Sequence, residues 1–150
     1  KYQDQVKAQE NLTYMQPFYD LLKKHQGKMI YIDFWGPWCP PCLAEMEPLK
    51  ELRKKYSTDD IVFISICRND DRKQYKQVLD KYGMHVDGIE HIHADDLQAE
   101  SQVHKMYNQL NIDGIPYFFI INREGVIVNY GSMMRPSYPG TAECIEEWLK

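Results

Sequence analysis

The sequence predicts a three-layer α/β sandwich built on a mixed central sheet, and three observations carry that expectation. Met29 to Trp35 and Ile61 to Cys67 are almost continuously apolar, the pattern of strands buried on both faces of a parallel sheet. Each is followed by apolar residues at helical spacing, so each opens a strand-helix unit. Near the C terminus the period changes, because Tyr117 to Ile121 and Val126 to Tyr130 read as strands joined by Asn122-Arg123-Glu124-Gly125. A turn of that length makes an antiparallel hairpin, and the sheet is therefore mixed.

From Asp4 to His25, Leu12, Met15, Phe18, Tyr19 and Leu22 recur at spacings of three and four, with Pro17 starting or breaking a segment and Gly27 ending it. After the first buried strand, Cys42, Met46, Leu49 and Tyr56 fall on one helical face. After the second, Tyr75, Val78, Leu79 and Tyr82 do the same. Ile89 to His93 is a shorter strand, followed by a helical stripe at Val103, Met106, Tyr107 and Leu110. Thr141 is placed to cap a last helix carrying Cys144, Ile145, Trp148 and Leu149 on one side.

The 150 residues carry a net charge of −4 and are 43% hydrophobic, which suits one domain with its own core. With no repeat or low-complexity tract, residues 1–150 are read as one domain, with 1–26 a helical extension. The chain begins at Lys1 without an apolar signal segment, and is expected to be cut from a longer protein. A pI near 5.7 and dispersed lysines offer no basic stripe for phosphates, so nucleic acid is not an expected partner. The longest apolar runs fall far short of the roughly 20 residues that cross a bilayer, so no transmembrane segment is expected.

Cys39-Pro40-Pro41-Cys42 stands where a buried strand gives way to a helix. Backbone N–H groups and the positive end of the helix dipole favour a thiolate at Cys39. Lowering a thiol pKa from roughly 8.5 to 7 needs about 2 kcal/mol, within reach of such surroundings. Cys42, one turn further in and aligned with Met46 and Leu49, is the more buried partner that resolves a mixed disulfide. The alternative is half a zinc site completed by Cys67, His91 or His93, although no second ligand pair at metal spacing occurs.

Asp33-Phe34-Trp35-Gly36-Pro37-Trp38-Cys39-Pro40-Pro41-Cys42 resembles the active-site segment of the thioredoxin superfamily. The exported TlpA/ResA-like branch is closer, through Leu43-Ala44-Glu45-Met46, the long insert before Pro116, and Gly114-Ile115-Pro116 followed by Phe118 to Gly125. The likeness runs from Gly27 to the C terminus. It implies a thioredoxin-like α/β/α sandwich with an inserted strand-helix unit, and a thiol:disulfide oxidoreductase that reduces protein disulfides. It also implies an upstream electron-donor protein, a periplasmic or cell-envelope location, and no cofactor beyond the redox-active Cys39–Cys42 pair.

By the same resemblance, Pro116 matches the cis-proline facing the disulfide, with Ile115 pairing its backbone with an extended substrate. Asp33 matches the buried acid behind the resolving cysteine, and Trp38 the flanking aromatic. Between its apolar neighbours Asp33 is expected to be buried with a raised pKa and to take the Cys42 proton, rather than to be an exposed edge acid. The N-terminal helical stretch replaces the strand hairpin usual in smaller members, and two further departures lie at the motifs. Glu47 occupies the place of the family's helix-kinking proline while Pro48 follows one later, and Tyr117 stands where threonine is common.

Other features carry less. Cys67 and Cys144 read as small apolar core residues. His25, His85, His91, His93 and His104 are scattered, and no metal is assigned to them. Asn11-Leu12-Thr13 is a chance-level glycosylation triplet, and Asp70-Asp71 and Asp95-Asp96 are read as helix starts rather than calcium ligands. A peroxidase is a rival, but Gly36 stands where such a site needs threonine. A binding or scaffold domain with a merely structural disulfide is the other alternative.

Overall fold

The computed structural model describes residues 15–68, 71–97 and 100–150 of the 150, and for residues 100–103 only the backbone. Leu12, the Asn11–Thr13 triplet, Asp70 and the Val103 side chain lie outside the described residues. The elements run α1 (Gln16–Lys24), β1 (Met29–Trp35), α2 (Pro40–Ala44), α3 (Met46–Lys54), β2 (Ile61–Cys67), α4 (Arg72–Lys81), β3 (Ile89–His93), α5 (Glu100–Gln109), β4 (Tyr117–Ile121), β5 (Ile127–Tyr130) and α6 (Pro139–Leu149).

Five strands form one sheet in the order β3-β2-β1-β4-β5. β1 pairs in parallel with β2, and β2 with β3, whereas β4 runs antiparallel to both β1 and β5. This is the expected mixed sheet, with the insert supplying edge strand β3. β1 is buried along its whole length, which accounts for its apolar run. Alternation sends Ile30, Ile32 and Phe34 into the core beneath α1 and α5. Met29, Tyr31 and Trp35 face the other core, beneath α2, α3, α4 and α6. Each large apolar side chain buried in these layers contributes on the order of 1.5–3 kcal/mol.

Several local expectations need adjusting. Pro17 sits in the first turn of α1, where its missing N–H costs no bond, and Gly27 at φ +93° turns the chain into β1. Tyr56 lies past the end of α3, and Leu52 is the buried residue that completes that face. β5 begins one residue late, at Ile127, beside a register irregularity at Ile120/Ile121. Asp71 caps α4, accepting from the Lys73 and Gln74 amides, as its reading as a helix start requires. Asp95 and Asp96 instead lie in a 3-10 turn whose capping side chain is His93.

Thr141 does not cap the last helix. Pro139, with its fixed φ, opens α6, and Thr141 is buried inside the first turn with its hydroxyl donating to the Arg135 carbonyl at 2.7 Å. Trp148 is 44% exposed, because Ala142, Ile145 and Leu149 form the inward stripe and Trp148 falls at its border.

Candidate active site

β1 ends at Trp35, and Gly36-Pro37-Trp38 carries the chain over the C-terminal edge of the sheet to Cys39. Gly36 leaves room for a close approach, since a Cβ there would fall on the exposed Trp38 ring. Cys39 is the N-cap of α2, its amide donating to the Gly36 carbonyl at 3.1 Å. Pro40 and Pro41 fill the first helical positions, where no N–H is needed. The Cys42 amide donates to Cys39 Sγ at 3.3 Å, the contact that a sulfur anion would draw on.

Cys39 and Cys42 form a disulfide, with Cα atoms 5.2 Å apart. Cys39 retains 9% exposure against 3% for Cys42, so the order of access is the one the sequence suggests. Trp38 is 55% exposed and flanks the pair as a flat apolar surface.

The loop before β4 brings the second motif to the same edge. The Ile115–Pro116 peptide is cis, as expected, and Cys39 Sγ lies 3.9 Å from the Ile115 carbonyl oxygen. Ile115 and Pro116 are both partly exposed, and Tyr117, which follows, is buried and paired with Phe34 of β1. The two motifs thus meet at Cys39 and Ile115, although about 75 residues separate them.

Asp33 lies between Tyr31 and Trp35 on the face of β1 that looks toward the layer holding Cys42. It is buried, and Ser65, its register neighbour on β2, donates its hydroxyl to Oδ2 at 3.3 Å. Burial raises the Asp33 pKa to about 7, the Ser65 hydrogen bond working against the rise and the charge of Glu45 with it. Tyr31 is pushed well above its ordinary value by burial and then by Asp33 and Glu45, while its hydroxyl donates to the Met134 carbonyl at 2.7 Å.

The kink expected from the displaced proline takes a definite form. The helix breaks at Glu45, between α2 and α3, and Pro48 sits in the first turn of α3. A proline ring clashes with the carbonyl four residues earlier, here Ala44, which explains the break. Glu45 reaches across to residue 137, accepting from the Ser137 amide at 2.9 Å and hydroxyl at 2.8 Å. That clamp joins the cysteine-bearing helices to the loop before α6.

Cys67 is fully buried at the end of β2, and burial pushes its thiol up to about 12. Cys144 is only half-buried, so its reading as a core residue holds in part. Among the described residues, no three His, Cys, Asp or Glu side chains are grouped to hold a metal ion.

The sequence reading missed Ser65, Glu45 and Tyr31 as members of this neighbourhood. Ser65 had a signal, being the single polar residue of Ile61–Cys67 and fifth in its strand as Asp33 is fifth in β1. Glu45 and Tyr31 depend on where the loop after β5 returns, which no local pattern encodes.

Comparison with known proteins agrees with this geometry. The thioredoxin-like family model matches residues 27–127. Over 134 residues the chain is 26% identical to the thiol-disulfide oxidoreductase ResA of Halalkalibacterium halodurans, covering 86% of this chain and 65% of that one. The ResA of Bacillus anthracis is 26% identical over 107 residues, 71% of this chain, and the chain spans 56% of its length. Among solved structures, a candidate thiol-disulfide oxidoreductase from Bacteroides vulgatus superposes with a TM-score of 0.67 at 36% identity, covering 85% of this chain and 78% of that one. With its paired cysteines at the end of β1 and the cis peptide before β4, the chain belongs to the thioredoxin-like family.

Proposed function

We propose that this domain is a thiol:disulfide oxidoreductase that reduces disulfides in protein partners. The observation that carries the reading is the placement of Cys39 Sγ 3.9 Å from the Ile115 carbonyl, with Cys42 the more deeply buried of the pair. In the reduced form the Cys39 thiolate attacks one sulfur of the partner disulfide, and the other leaves as a thiolate that takes a proton from water. A mixed disulfide joins the two proteins. The Cys42 thiol then gives its proton to the Asp33 carboxylate and attacks Cys39 Sγ, expelling the second partner thiolate. Two electrons pass to the partner, and the Cys39–Cys42 disulfide remains until a dithiol donor protein reduces it.

The proton transfer is energetically reasonable. An ordinary thiol near 8.5 and an acid near 7 differ by about 1.5 pKa units, or about 2 kcal/mol. Ile115 and Pro116 present backbone to an extended partner segment, and Trp38 supplies apolar contact beside it. Likeness to ResA supports the reductive direction and an exported, periplasmic or cell-envelope setting. No helix among the described residues is long and apolar enough to cross a membrane.

Catalysed reduction of a protein disulfide, with a small dithiol as donor, tests the reading. The parent chain should accelerate the reaction and Cys39→Ser should abolish the acceleration. A Cys39→Ser variant as active as the parent refutes it, and a very low reduction potential with slow exchange would favour the scaffold reading instead.

A further inference from the structure

β1 and β2 run parallel and end level, Trp35 being the register partner of Cys67, so Arg68 leaves β2 at the end of the sheet where the chain leaves β1 for Cys39. Two hydrogen bonds fix how near they are. The Arg68 amide donates to the Trp35 carbonyl at 2.6 Å, and the Cys39 amide donates to the Gly36 carbonyl at 3.1 Å, closing a turn whose ends lie within about 7 Å of each other. β4 begins at this end too, since Tyr117, directly after Pro116, pairs with Phe34.

The Arg68 side chain goes to the α5 side. Its guanidinium carbon lies 4.5 Å from the centroid of the Tyr107 ring, which meets the Phe34 ring edge-on at 5.5 Å. Tyr107 is fully buried and Arg68 half-buried. Among the described residues this guanidinium has no ion pair and no hydrogen bond. Asp95 lies close enough to act on Tyr107, yet it faces His93 Nδ1 at 3.6 Å, and its neighbour Asp96 is paired with Arg72 at 2.6 Å. A guanidinium held over an aromatic face keeps its in-plane N–H fork for a planar anion, and half-burial lessens the screening of its charge.

We propose that Arg68 is a specificity-determining residue for the reduction, selecting partner disulfides that carry an aspartate or glutamate two or three residues from the attacked cysteine. The inference rests on the function proposed above and names the substrate class of that same site. A partner segment extended along the Ile115 backbone advances about 3.3 Å per residue, so two or three residues cover the roughly 7–10 Å from Cys39 to the end of β2. Ile115 packs against both cores, the one that holds the disulfide and the one that holds Tyr107, so such a segment crosses between them. The partner carboxylate then meets the free fork of Arg68, while Trp38, whose ring lies over Gly36, takes an apolar neighbour. Asp113, exposed and near enough to act on Tyr117, repels a carboxylate placed beside it, which confines the preference to one side of the partner cysteine.

The test compares disulfide-bonded peptides reduced by the parent chain, with a small dithiol as donor, in which glutamate, glutamine or lysine stands two or three residues to either side of the reactive cysteine. At low salt the glutamate peptide should lead its glutamine twin about fivefold in kcat/KM at one of these positions, and the lead should shrink at about 0.5 M salt. It should appear in KM rather than kcat, as binding of an unreacting group does. Arg68→Gln should erase the lead, Arg68→Lys should keep part of it, and Arg68→Glu should pass it to the lysine peptide. Equal rates for glutamate and glutamine at every position in the parent chain, a comparison that needs no variant to fold, overturn the proposal. A lead that survives in Arg68→Gln overturns it as well. Reduction of all the peptides at one rate faults only the role of Arg68, whereas failure to reduce any of them faults the proposed function and the inference with it.

Discussion

Asp33 and Ser65 face each other in register across β1 and β2, joined by the Ser65 hydroxyl at 3.3 Å from Oδ2, beside a core of aliphatic, aromatic and sulfur-bearing side chains. The pair turns a structural penalty into a titration near neutrality. With its pKa raised to about 7 in the fold against roughly 3.9 when unfolded, Asp33 holds its proton more tightly in the native state. Its contribution is therefore fully present below about pH 4 and is lost as the pH rises through 7. The loss is on the order of 4 kcal/mol. Denaturant unfolding of the oxidised protein should show stability falling from pH 5 to 8, and Asp33→Asn should flatten that slope.

Ser65→Ala removes the hydrogen bond that holds the Asp33 pKa down. The carboxyl titration, followed by ¹³C resonance of the Asp33 side chain, should move above 7. A midpoint that stays or falls would show that Ser65 does not favour the ionised form.

Gly36→Ala places a methyl group where the Trp38 ring lies. The exposed ring is the part able to yield, so it should swing away from the strand end. The expected signs are altered indole fluorescence and faster reduction of the Cys39–Cys42 bond by a small thiol, with a stability change of about 1 kcal/mol or less. Unchanged fluorescence would show that the ring does not cover this position in solution.

Glu45→Gln keeps the shape of the clamp on Ser137 and removes its charge. Loss of charge assistance should cost about 1 kcal/mol in unfolding experiments. Because the Glu45 charge raises the Asp33 pKa, that titration should move below 7 in the variant.

The strands were legible in the sequence because both faces of β1 and β2 are covered, leaving uninterrupted apolar runs at Met29–Trp35 and Ile61–Cys67. Cys39, Cys42, Asp33 and Pro116 were legible because a short local motif carries each. What escaped was set by distant contacts. Thr141 looks like a cap by residue type, yet the Arg135 carbonyl claims its hydroxyl. Trp148 matches the helical period, but the helix turns its inward stripe toward Ile145 and Leu149. Ser65 becomes the partner of Asp33 only once the register of the two strands is fixed, and sequence spacing alone does not fix it.

The division of labour between the two cysteines is tested most directly by trapping. Incubating Cys42→Ser and Cys39→Ser variants with a disulfide-bonded peptide, followed by intact-mass measurement, should give one peptide equivalent held by the Cys42→Ser protein at Cys39 and none held by Cys39→Ser. Equal trapping by both variants, or attachment at Cys67 or Cys144, would contradict Cys39 as the attacking sulfur.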